Sequence, residues 1–64
     1  MDLSRTRLEK LIGEHIFSER DRRILKRKWF DHITYEDLAE EEGMSPRWIK
    51  EIVKRSELIL VNKI

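Results

Sequence analysis

Arg47, Lys50, Glu51, Lys54 and Arg55 fall within nine residues of one another, with Trp48 among them. On a helix these five charged side chains share one arc, opposite Ile49, Ile52 and Val53, and Trp48 lies at its border beside Ile52. Lysine and arginine can donate to phosphate oxygens or to guanine edges, and a carboxylate can accept from cytosine N4. That mixture suits a surface that reads double-stranded DNA, where each good base contact discriminates by about 1–3 kcal/mol. Two of the residues carry a second reading. Trp48 either packs over the edge of a core or touches a backbone sugar or thymine methyl. Glu51 either pairs with Lys54 or Arg55 on its own helix or reads a base.

Other chemistries find little support in the residues. His15 and His32 stand far apart without a third ligand, so no metal site is expected. No serine, histidine and acid arrangement suggests a nucleophile, and there is no glycine-rich phosphate loop, so neither an enzyme nor a cofactor is expected. With no cysteine there is no disulfide framework and no thiolate zinc site. The longest apolar run, Leu58-Ile59-Leu60-Val61, is far short of the roughly 20 residues of a membrane span. The first residues lack the apolar stretch of a signal peptide, and a reducing cytoplasm is the expected location. At 64 residues the chain is one domain, too small to enclose a deep pocket of its own.

The total charge, +1 from 14 basic and 13 acidic residues, conceals a banded distribution. Residues 1–17 are neutral, 18–33 carry +3, 34–44 carry −5, and 45–64 carry +3.

These bands coincide with the elements that must position the charged arc. Few glycines and prolines and many Glu, Arg, Lys, Leu and Ile predict helix throughout. Leu8, Leu11, Ile12 and Ile16 repeat at the three-four spacing of a first helix, from about Ser4 to Ile16. Ser18, with Glu19 and Asp21 behind it, is a start signal for a second. Its Ile24, Leu25 and Trp29 face the core, and Arg22, Arg23, Lys26 and Arg27 lie opposite. Trp29, Phe30 and Phe17 are expected as core aromatics. Thr34 with Asp37 opens a short third helix from Tyr35 to Glu42, which Gly43 stops with a left-handed turn. Ser45-Pro46 starts the fourth, with a hydroxyl cap and proline where no N–H is needed. Continued past Glu57, this helix would point Leu58 and Val61 outward and Ile59 and Leu60 inward, so either it ends near Glu57 or something covers the tail from a second side. The arginines of the second helix are expected to pair with Glu40, Glu41 and Glu42.

A short helix, a glycine-containing turn and a longer helix make the layout of a helix-turn-helix over residues 34–57. Ala39 supplies the small residue where two such helices touch, Ile49 plugs the second into the first with Leu38 and Ile52, and Met44 fills the space beneath the turn. The stretch Ser18-Glu19-Arg20-Asp21-Arg22-Arg23-Ile24-Leu25, then Ile33-Thr34-Tyr35-Glu36-Asp37-Leu38-Ala39, Gly43-Met44-Ser45 and Ile49-Lys50 resembles region four of bacterial RNA polymerase sigma factors and sigma-like regulators. The resemblance covers residues 18–55. It implies that the second motif helix enters the major groove of DNA and that the domain can also contact RNA polymerase. Pro46 and Trp48 stand where small or charged residues are usual in that family, so no DNA sequence is carried over. Nothing resembles the family's larger core-binding and promoter-melting regions.

The expectation is therefore a small all-α, four-helix domain containing a helix-turn-helix, acting as a DNA-binding transcription regulator. Arg47, Trp48, Lys50, Glu51, Lys54 and Arg55 would form its groove face, and Thr34 and Tyr35 would be candidates for phosphate contacts. Residues 1–17 would form a packing or dimerisation helix, 18–33 a support helix and 58–64 an apolar tail. The unused apolar surface of the first helix and the tail suggests a homodimer; otherwise the first helix packs over the motif with the tail along it. A compact protein of this kind fits a bacterial or phage-encoded regulator. Its rivals are a protein-interaction module that binds RNA polymerase or another regulator through the acidic helix, and the DNA-binding part of a recombination or packaging complex.

Overall fold

The computed structural model describes residues 5–63. Four helices follow one another: α1 (Arg5–His15), α2 (Glu19–Phe30), α3 (Tyr35–Glu42) and α4 (Pro46–Val61), with no strand among the described residues. The expected start of the first helix at Ser4 lies outside the described residues, as does Ile64 of the tail.

Side-chain oxygens begin three of the helices as their sequence signals predict. Ser18 Oγ accepts from the Asp21 N–H at 3.3 Å, Thr34 Oγ1 from Asp37 at 3.1 Å, and Ser45 Oγ from Trp48 at 3.2 Å. Pro46 occupies the first turn of α4. α3 ends on Gly43, at φ 65° and ψ 35°. There the Met44 N–H donates to Ala39 O at 2.9 Å and the Gly43 N–H to Glu40 O at 3.4 Å. This pair of bonds is the Schellman closure that a left-handed residue permits, and it redirects the chain into α4 after three residues. His32 also adopts a left-handed backbone, at φ 53°, in the segment between α2 and α3.

One apolar cluster joins all four helices: Ile12 and Ile16, Ile24 and Leu25, Leu38 and Ala39, then Ile49, Ile52, Val53 and Leu60. α4 contributes more of it than any other helix and touches each of the other helices, whereas α1 and α3 share no contact among the described residues. Leu38, Ala39, Ile49 and Ile52 meet as the motif requires, and Met44 packs against the same cluster.

Two expectations are corrected. Phe17 is not a core aromatic: it is 84% exposed. Ile16 takes the inward position at the end of α1, and Phe17 starts the turn towards the Ser18 cap, where the chain leaves the core. Trp29 and Phe30 do pack against the cluster. The second correction concerns the tail, because α4 does not stop near Glu57 and the boundary placed there falls inside the helix. Leu60, 1% exposed, anchors the additional turn in the core. Leu58 and Val61 then project outward, as a continuing 100° rotation per residue demands.

Candidate nucleic-acid interface

The local rules that build α4 also sort its side chains. Ile49, Ile52, Val53, Ser56 and Leu60 are buried, and Arg47, Trp48, Lys50, Glu51, Lys54 and Arg55 are all exposed. The structure thus brings the six groove-face candidates of this helix onto its solvent side. Trp48 is 47% exposed.

What distinguishes this face from Arg23 and Arg27 of α2 is how those two arginines are paired. Arg23 holds Glu42 with two hydrogen bonds, of 2.7 and 2.5 Å, in the parallel fork geometry of guanidinium and carboxylate. Arg27 binds Glu41 through two nitrogens and Asp31 through one. The acidic end of α3 is therefore locked onto α2 through Arg23 and Arg27, but the expected pairing does not extend to Glu40, and Arg20 and Arg22 turn instead to Asp21 and to Ile16 O. The Arg23 hydrogen bond holds the Glu42 carboxyl below its ordinary range, against the opposing effect of its partial burial. The same carboxylates raise the Arg23 and Arg27 guanidinium groups above theirs.

Among the described residues no ion pair involves Arg47, Lys50, Lys54 or Arg55. Glu51 has none either, so its expected partnership with Lys54 or Arg55 is not formed. The Arg47–Arg55 stretch of α4 presents four cations and one carboxylate with no ion pair among them.

Thr34 and Tyr35 occupy a different setting. The Thr34 oxygen accepts the capping bond, which leaves its hydroxyl proton as a donor. Tyr35 is half-buried, with the Lys28 ammonium 4.3 Å from its ring centre. Lys28 also donates to Ile33 O at 2.9 Å, which fixes a cation at the entry to α3. Sequence reasoning missed this lysine, because the irregular segment before α3 removes any fixed spacing between residues 28 and 35. It also missed the bond from Trp29 Nε1 to Glu57 Oε2, 2.8 Å, which ties α2 to the middle of α4.

The chain matches no protein family, no curated protein and no solved structure. Among the described residues no group of His, Cys, Asp and Glu side chains is arranged to hold a metal, and no helix is long and apolar enough to cross a membrane. A surface hollow between α1 and α2 is lined by Arg5, Glu9, Arg22, Lys26 and Phe30 among others, with the Arg5 guanidinium 4.7 Å from the Phe30 ring centre. It is an open trough edged by the chain's own ion pairs.

Proposed function

We propose that this protein is a sequence-specific double-stranded DNA-binding regulator whose α4 enters the major groove. The observation that carries the reading is the unequal pairing of the basic bands. Arg23 and Arg27 of α2 are neutralised by α3, whereas Arg47, Lys50, Lys54 and Arg55 are exposed and unpaired on one side of a helix that follows a three-residue turn. In a helix-turn-helix the first residues of the second helix meet base edges. Arg47, Trp48, Lys50 and Glu51 occupy that place here, where Arg47 and Lys50 also come beside the flanking phosphates, and Lys54 and Arg55 lie a turn further on, within reach of further phosphates. Thr34, with Lys28 beside Tyr35, supplies donors for the flanking backbone.

Selection of bound sequences from random duplexes, followed by gel retardation, tests the reading. The unmutated protein should retard the selected duplex. The combined Arg47→Ala, Lys50→Ala and Lys54→Ala variant should not, while its helical circular dichroism is retained. Arg20→Ala with Lys26→Ala should bind as before. Failure of the unmutated protein to retard any duplex at low salt refutes the reading.

One observation favours a second reading, contact with RNA polymerase or another regulator through α3. Glu36, Asp37 and Glu40 remain exposed and form no ion pair among the described residues. If that is the function, their amide variants should lose polymerase capture and the α4 variant should keep it.

A further inference from the structure

The outward stripe of α4 changes character along its length. Arg47, Lys50 and Lys54 are followed on the same side, at helical steps of four and three, by Leu58 and Val61. These two aliphatic side chains are 66% and 67% exposed, with Ile59 at their border 38% exposed. Lys54 and Glu57 flank them in one shallow hollow. Glu57 is held at that edge by its bond from Trp29.

We propose that Leu58 and Val61 join two copies of this chain on adjacent DNA half-sites, which rests on the DNA-binding reading above. Three features select a second copy as the occupant. First, the hollow carries one cation and one anion at its edge. A two-fold contact therefore joins two edges of balanced charge rather than two of like charge. Second, a contact of two or three aliphatic side chains per copy falls well short of the roughly 1,200 Å² that stable complexes bury. It cannot hold a dimer in dilute solution, but it suffices when DNA already holds both copies at high effective concentration. Third, the patch continues the basic stripe. When the two C-terminal turns of α4 meet, the N-terminal halves diverge with their cations towards the duplex.

The length of α4 limits the spacing. From the middle of the Leu58–Val61 pair to the middle of the Arg47–Lys50 pair is about 11 residues, roughly 16 Å of helix. Twice that length plus the ~8–10 Å between packed helix axes gives at most roughly 43 Å between reading segments. Half-sites one turn apart, about 34–36 Å, are within reach. Half-sites two turns apart are not.

The test uses the full chain and duplexes carrying the selected half-site once, twice at one turn, and twice at two turns. The unmutated protein should bind the one-turn pair cooperatively, by a factor within the roughly 5–150-fold typical of coupled sites. It should bind the two-turn pair independently. Leu58→Gln with Val61→Gln, both exposed positions, should keep single-site affinity within about two-fold and lose the cooperativity. Independent binding by the unmutated protein, or cooperativity that survives in the variant, overturns the proposal. So does loss of RNA polymerase capture in this variant with independent DNA binding, which would assign the patch to that partner. Absence of binding even to the single site overturns the DNA reading itself, and this proposal with it.

Discussion

Salt dependence gives the sharpest measure of the α4 face, because the number of released counterions follows the number of cations that reach phosphates. Four cations of α4 form no ion pair among the described residues: Arg47, Lys50, Lys54 and Arg55. If each neutralises one phosphate, the logarithm of the binding constant falls with the logarithm of salt at a slope of about −3.6 for a single site. Between 50 and 200 mM monovalent salt the affinity then drops by about 150-fold. Changing Lys50 and Lys54 to glutamine leaves two such contacts, a slope of about −1.8 and a drop of about 12-fold over the same range. Arg23→Gln with Arg27→Gln provides the contrast. Those guanidinium groups are bound to Glu42 and Glu41, so their loss should leave the slope unchanged while lowering the melting temperature. Fluorescence anisotropy of a labelled single-site duplex, titrated at four salt concentrations, measures each slope. An equal fall in slope for the Arg23 and Arg27 variant would place the phosphate surface on α2 and refute the argument from pairing. An unchanged slope for the Lys50 and Lys54 variant would refute the α4 face.

Three further outcomes follow from the fold. Gly43→Ala should destabilise the domain by about 1–2 kcal/mol in a urea melt, because the left-handed backbone penalises a β-carbon; nothing lies within 4 Å of that carbon, so the cost is conformational. His32→Gly, at the other left-handed position, should leave stability unchanged or raise it. Ile49→Ala empties a fully buried site between α3 and α4 and should cost about 2–5 kcal/mol by the same melt, a large share of the stability of so small a domain. Because the Glu42 carboxyl is held below its ordinary range in the folded chain, its contribution is complete above the unfolded value near pH ~4.3. It is lost as pH falls through the lower folded value. An acid titration of stability should therefore flatten in Glu42→Gln, and an unchanged acid limb would remove the pair as its cause.

The helix order and the placement of Arg47, Trp48, Lys50, Glu51, Lys54 and Arg55 on the solvent side of α4 were legible in the sequence, because both rest on local rules. Ser18, Thr34 and Ser45 cap what they were expected to cap, and Gly43 turns the chain where a β-carbon is penalised. The three-four spacing of Ile49, Ile52 and Val53 leaves only one side of α4 for Arg47, Lys50 and Lys54. The pairing of Arg23 and Arg27 with α3 could be anticipated from complementary bands on neighbouring helices. Tertiary choices were not legible. Phe17 looks like a core residue by type, yet Ile16 beside it occupies the inward direction. The end of α4 depended on whether Leu60 finds a place in the core, since four consecutive apolar residues carry no periodicity of their own. Glu51 was offered two partners by spacing, but a compatible spacing allows an ion pair without requiring one. The Trp29–Glu57 bond joins residues 28 positions apart, which no local pattern connects.

The near-neutral total charge bears on how such a domain would meet DNA. A uniformly basic chain is attracted to a duplex by every face and must then find its orientation. Here the acidic band of α3 is divided between two roles. Glu41 and Glu42 neutralise the arginines of α2 and fix α3 against it, while Glu36, Asp37 and Glu40 remain facing solvent. An approach to DNA with those carboxylates leading is repelled, and one with α4 leading is attracted. The separation of bands thus acts as an orienting field, weak in total attraction but selective for one face. Reversing the free acids, with Glu36→Lys and Glu40→Lys, should then strengthen binding to arbitrary duplexes more than to the selected one and so narrow the ratio between them. A variant in which that ratio is unchanged would show that the acidic face serves another purpose, such as a protein partner.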